Sequence, residues 1–158
     1  MRIALLAAAG FLAFVAPAQA LCPRVKVLQD TDRWITLPGG DGPQVEGKIS
    51  EPAISCKRGD DELELTVTFK MEMSADKAGS MMIPYYAAVI FVWAAEPAIV
   101  YKDIVQRQIE FPAGKTVIKL EETVDGIELP LGNRIGATDF EVVVGFQLSM
   151  AQLEAIRH

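Results

Sequence analysis

From Glu62 to Met73 the chain reads ELELTVTFKMEM, and every second residue is apolar. Leu63, Leu65, Val67, Phe69, Met71 and Met73 fall on one side; Glu62, Glu64, Thr66, Thr68, Lys70 and Glu72 fall on the other. A β-strand turns successive side chains to opposite faces, so this stretch predicts a strand with one buried and one wet face. The preceding KRGDD, with Gly59 among charged residues, predicts a turn. Upstream, Val45 to Cys56 predicts a less regular strand. Pro52 cannot donate to a ladder there and marks an edge or a bulge.

Pro84 to Ala95, PYYAAVIFVWAA, follows a different pattern, because both alternating sets are apolar. Tyr85, Ala87, Val89, Phe91 and Trp93 oppose Tyr86, Ala88, Ile90, Val92 and Ala94, so such a strand requires cover on both faces. Met81 and Met82 fall in the expected loop before it. Glu96 and Pro97 then turn the chain into Ala98 to Phe111, the second arm of a hairpin. Further strands are expected at Arg24 to Leu28, Lys115 to Val124 and Phe140 to Ser149. At the C-terminus the period changes. Ser149, with Gln152 three residues later, forms a capping-box pattern that opens a helix carrying Met150, Leu153 and Ile156 on one side. Two turns of helix are marginal alone, and the doubly apolar strand offers a docking surface.

Six to eight strands with one terminal helix predict an antiparallel β-sandwich of immunoglobulin-like layering. A membrane-spanning helix at Pro84 to Val100 is excluded by Glu96, Pro97 and the β-branched and aromatic content. An outer-membrane barrel would need strands that alternate apolar and polar, and the central one does not.

The first twenty residues have the parts of a secretory leader: Arg2, an apolar run from Ile3 to Val15, and Ala18-Gln19-Ala20 as a small-residue cleavage site. Cleavage there leaves residues 21–158 as a single domain and takes the formal net charge from −6 to −7 by removing Arg2. An acidic chain repels phosphate backbones, so nucleic acid is not an expected partner. Two readings of Cys22 remain. A lipoprotein leader needs a small residue directly before the lipidated cysteine, and here that residue is Leu21. Cys56 is the only other cysteine, and pairing of the two in an oxidising compartment would close a loop of about 35 residues, worth roughly 3 to 4 kcal/mol. Only lipidation of Cys22 would tie the chain to a membrane.

Candidate chemistry is sparse. The single histidine, His158, is the last residue and a poor general base. Neither cysteine has a C-x-x-C setting that would lower its pKa. Asp60, Asp61, Glu121, Glu122 and Asp125 could supply a carboxylate pair for a hydrolase, but nothing in their order selects one. Asp30-Thr31-Asp32 lacks the full oxygen set of a calcium loop, and Gly39 to Pro43 lacks the Lys-Ser/Thr ending of a phosphate loop. The methionines raise copper, yet Met71 and Met73 face the expected core and no histidine is spaced to join them. Tyr85, Tyr86, Met81 and Met82 are the expected interaction or ligand surface, and no cofactor is expected.

Six pieces carry a resemblance: CPRVKVLQDTDR from Cys22 to Arg33, the second cysteine Cys56, YYAAVIFV, EFP from Glu110 to Pro112, ELPL from Glu128 to Leu131, and VGFQLSMAQLEAIR from Val144 to Arg157. Together they resemble a group of small exported proteins of alphaproteobacteria, many of them lipoprotein-like with the cysteine directly before proline. Leu21 departs from that lipoprotein pattern. The resemblance implies export and carries no activity to any residue. The expected function is that of a non-enzymatic periplasmic protein binding another envelope protein. The alternatives are a carrier of a small ligand, copper or calcium, and a carboxylate-dependent hydrolase.

Overall fold

The computed structural model describes residues 22–93, 96–114 and 117–158. The expected leader and the residue after its cleavage point lie outside them, as do 94–95 of one expected strand and 115–116 of another. The described residues form β1 (Arg24–Val27), β2 (Arg33–Ile35), β3 (Val45–Arg58), β4 (Glu62–Ala75), β5 (Gly79–Phe91), β6 (Ala98–Phe111), β7 (Val117–Pro130), a 3-10 turn (Ala137–Asp139), β8 (Phe140–Phe146) and α1 (Met150–Arg157). They make two four-stranded sheets packed face to face. One runs β1-β8-β5-β6 and the other β2-β3-β4-β7. The chain is the expected β-sandwich with a short C-terminal helix. β1 pairs parallel with β8, and all other neighbours are antiparallel.

The alternation in β4 sets the core. Leu63, Leu65, Val67, Phe69, Met71 and Met73 all point inward and are fully buried. They meet Ile83, Tyr85, Ala87 and Val89 of β5 and Val142, Val144 and Phe146 of β8. Phe69 packs edge-on to Tyr85 with ring centroids 5.3 Å apart, a geometry that sets a ring edge against the electron-rich face of its neighbour. Gly47 leaves room for this layer, since a Cβ there would overlap the Met73 thioether and lie 3.2 Å from the Phe146 ring.

Proline positions follow the ladder. Pro52 sits where the β3–β4 register shifts, between Ser50 and Ala53, beside Glu51 at φ 50°. Pro84 lies inside the central strand β5, with Gln147 donating its N–H to the Pro84 carbonyl at 2.9 Å. The nitrogen of Pro84 therefore faces β8 just beyond its last strand residue, Phe146, and the missing donor falls at the end of the ladder.

Several expectations change. β5 stops at Phe91, leaving Trp93 74 % exposed, and β7 runs on to Pro130. Met81 and Met82 belong to β5, not to a loop, because β5 pairs with β6 along its whole length from Gly79↔Phe111 onward. β8 ends at Phe146, which frees Ser149 to cap the helix. β2 was not expected; three residues are too few for a period to register. The helix docks at the β2 edge and not over β5. Gln152 donates to the Ile35 carbonyl at 2.7 Å, Arg157 meets Asp30 at 2.9 Å, and Met150 stays 72 % exposed. The capping box forms as expected, with Ser149 N–H donating to Gln152 Oε1 at 3.0 Å and Gln152 N–H returning to Ser149 Oγ at 3.3 Å. Within it Gln152 also reaches across to β2, so a polar residue anchors the helix.

Candidate functional site

Because side chains alternate along β5, Tyr85 and Tyr86 lie on opposite sides of one sheet, as do Met81 and Met82. Tyr85 and half-buried Met81 join the core, Tyr86 and exposed Met82 face outward, and the four residues do not share a surface.

Inside, Tyr85 donates its hydroxyl to Glu122 Oε2 at 2.7 Å, and Arg107 Nε stands 3.4 Å from Glu122 Oε1. Glu122 is on the inward face of β7, opposite Phe69 of β4, and is 8 % exposed. A carboxylate this buried is tolerable because a hydrogen bond and a cation meet it. Burial pushes the Tyr85 hydroxyl well above the usual phenol range, and the Glu122 hydrogen bond and charge push the same way. Tyr85 is thus held as a donor at neutral pH, which suits a clamp between the sheets.

The remaining candidate carboxylates scatter. Asp60 and Asp61 sit in the exposed β3–β4 turn, while Glu121 and Asp125 are exposed on β7. Asp60 and Asp61 border an open surface hollow with Glu62 and Glu128. Among the described residues no three His, Cys, Asp or Glu side chains gather as a metal site. Asp30 is tied to Arg157, and the Asp32 carbonyl accepts from Ile49 at 2.8 Å, so that loop holds structure together. Gly39 to Pro43 forms a turn to which Lys77 donates through the Asp41 carbonyl at 2.8 Å. His158 is exposed. No described helix is long and apolar enough to cross a membrane.

Outside, the two sheets differ. The outer side of β4 presents glutamates, threonines and Lys70, with ion pairs Lys70–Glu51 and Lys119–Glu72. The outer side of the β8-β5-β6 sheet has an apolar middle, where Tyr86, Ala88 and Val143 form a second buried cluster with Ile90 against it, flanked by the Lys26–Glu141 ion pair and by Gln106, Gln108 and Glu110 of β6. Ile99 and Ile104 extend the face onto β6, 64 % and 48 % exposed. Tyr86 meets Thr31 at 3.1 Å, and Thr31 Oγ1 also donates to the Leu28 carbonyl at 3.0 Å. The Lys102 ammonium lies 4.8 Å from the Tyr86 ring centroid and donates to Gln147 Oε1 at 2.8 Å. Leu28, Leu148 and Leu153 complete a shallow groove of about 270 Å³ along one margin. A separate pocket of about 330 Å³ opens between the sheets beside Phe91, Tyr101, Leu129, Ile135 and Phe140.

Thr31, Lys102, Arg107 and Glu122 carry these arrangements, and only Glu122 and Thr31 came into view in the sequence, each for a different role. The signal for Arg107 was present. Along Tyr101 to Phe111 the inward positions read Tyr, Asp, Val, Arg, Ile, Phe, so two charges interrupt an apolar set. Cys22 and Cys56 are bonded to each other, with Cα atoms 5.7 Å apart, joining the start of one sheet to β3 of the other. Comparison of the chain with family models, with curated proteins and with solved structures gives no match.

Proposed function

We propose that this chain is an exported, non-enzymatic protein of the periplasm that binds another envelope protein through the outer face of β8, β5 and β6. The observation that carries the reading is the contrast between the two outer faces. One sheet turns charge to water, while the other leaves Ile99 and Ile104 of β6 largely exposed beside partly buried Ile90. A patch of this kind on a chain with net charge −6 favours burial against a partner. Among the described residues Lys102 has no carboxylate partner, so the fitting occupant is a protein with an apolar surface that brings a carboxylate to it. Export is supported by the leader pattern and by the bridge, which suits an oxidising compartment. A Cys22 sulfur in that bridge cannot also carry a lipid thioether.

The test is site-specific photo-crosslinking in cells. Probes at Ile99 and Ile104 are expected to capture one and the same protein, a probe at Thr66 on the charged face is not, and Ile104→Glu or Lys102→Glu is expected to abolish the capture. Equal capture from both faces, capture of lipid alone, or capture that survives both substitutions overturns the reading.

A second reading, an apolar-ligand carrier, is favoured by the pocket between Phe91, Phe140 and Leu129. A melting-temperature rise with fatty-acid or aromatic fragments, lost in Phe140→Ala, would establish it. No shift with any fragment removes it.

A further inference from the structure

β6 is the outermost strand of its sheet and runs fourteen residues, Ala98–Phe111. Its only ladder irregularity lies at the Val89/Ile90 step, so from Tyr101 to Phe111 it is a regularly paired, proline-free edge. Such edges invite pairing with another strand, and proteins commonly deter it with inward-pointing charges. β6 has two, Asp103 and Arg107. Arg107 reaches Glu122, whereas Asp103 has no ion-pair partner among the described residues.

The direction of the free backbone groups follows from Pro84. Its carbonyl accepts from Gln147, so Pro84, Tyr86 and Ala88 turn their backbone groups to β8, and Ile83, Tyr85 and Ala87 turn theirs to β6. Their β6 partners are Arg107, Val105 and Asp103. Lys102, Ile104, Gln106 and Gln108 therefore point their N–H and C=O groups out of the sheet. A second strand must meet these even-numbered residues, which leaves a two-fold partner few registers. With the axis at Ile104, Asp103 faces Val105 and Arg107 faces Tyr101. With the axis at Gln106, Asp103 faces Ile109 and Arg107 faces Val105. Only the axis at Val105 sets Asp103 of each copy against Arg107 of the other, in the more closely spaced, non-hydrogen-bonded positions of the ladder.

We propose that β6 is a dimerisation edge on which two copies of this chain pair antiparallel about a two-fold axis at Val105, joined by two Asp103–Arg107 ion pairs. The same two charges that deter a foreign apolar strand select this register. Arg107 then lies between its own Glu122 and the Asp103 of the other copy, and the sheets fuse into one of eight strands. β7, the neighbouring edge of the other sheet, is a poorer seam, because it carries Glu121, Asp125 and Glu128 against one cation, Lys119, which already meets Glu72 at 3.1 Å. The inference uses the rim of the sheet, not its outer face, and stands independently of the envelope partner.

The test is the molar mass of the oxidised protein in solution, by light scattering and sedimentation, over a range of concentrations. Twice the chain mass is expected. Asp103→Arg is expected to weaken association at least about tenfold, and the charge-swapped Asp103→Arg/Arg107→Asp to restore it. Gln106→Pro, which removes an outward N–H and no bond to β5, should give a monomer that melts as a folded protein. A wild-type chain that stays monomeric, or a dimer indifferent to both Asp103→Arg and Gln106→Pro, overturns the proposal.

Discussion

Tyr85 donates its hydroxyl to Glu122 across the gap between the two sheets, at 2.7 Å. This is a polar clamp inside an apolar layer, placed on the flank where β6 and β7 leave the sandwich without a connecting strand. Removing the donor leaves a nearly buried carboxylate held by Arg107 alone. Tyr85→Phe is therefore expected to lower stability by about 1 to 3 kcal/mol, the usual cost of stranding a buried acceptor. A denaturant titration measures it. An unchanged midpoint would mean that water satisfies Glu122 as well as the phenol does.

The same clamp sets an alkaline limit. The Tyr85 hydroxyl is raised above its ordinary value of 10.0, first by burial and then by Glu122, and Tyr86 and Tyr101 are raised by burial as well. Above about pH 10 the unfolded chain releases these protons while the folded chain keeps them. Fewer protons are then bound in the unfolded state, so stability falls as pH rises. The contribution is fully present below pH 10 and is lost as pH climbs toward the folded values. Melting temperatures measured from pH 8 upward should decline beyond pH 10, and the decline should be shallower in Tyr85→Phe. Parallel slopes in the two proteins would assign the loss to other groups.

Reduction of the Cys22–Cys56 bond tests the other link between the sheets. The bond spans a sequence separation of 34 residues, and opening that loop in the unfolded chain is worth about 4 kcal/mol in the chain-entropy model. β1 has four residues and lies at the sheet edge, held by its short ladder to β8 and by this tether just before it. Cys56→Ser is expected to lower the melting temperature and to raise hydrogen exchange at Arg24 to Val27 before the rest of the sheet. An intact mass two hydrogens below the reduced value verifies the bridge in the wild-type chain.

What the sequence conveyed depended on the length scale of each signal. The alternation in β4 and the lone pair of cysteines were legible, because a repeated period and a count of two leave few solutions. Pro52 marked its bulge for a similar reason: one missing donor limits where the ladder can run. The extent of β5 was not legible, since Met81 and Met82 are both apolar and their direction depends on register with β6. β2 and the docking of Gln152 on Ile35 were equally hidden, because both depend on contacts between residues far apart in the chain. The candidate surface suffered most. Neighbours in sequence, Tyr85 and Tyr86 part to opposite faces, and the residues that join Tyr86 outside come from Thr31, Lys102 and Val143.

Gly145 is the position on which that outer face turns. It pairs with Tyr86 across the β5–β8 ladder, and a Cβ there would overlap the Thr31 hydroxyl and lie 2.9 Å from the Tyr86 hydroxyl. The absence of a side chain lets the Thr31 loop close over the sheet and hold Tyr86 beneath it. Gly145→Ala must push that loop away or turn Tyr86 outward, and overpacking of this kind costs about 1 to 3 kcal/mol. The loop also carries Asp30, which holds Arg157 of α1, so displacement should loosen the helix. The expected result is a lower melting temperature together with faster exchange of the α1 amides, while β3 and β4 remain protected. A variant that loses stability evenly, without a separate change in α1, would place the strain in the strand itself.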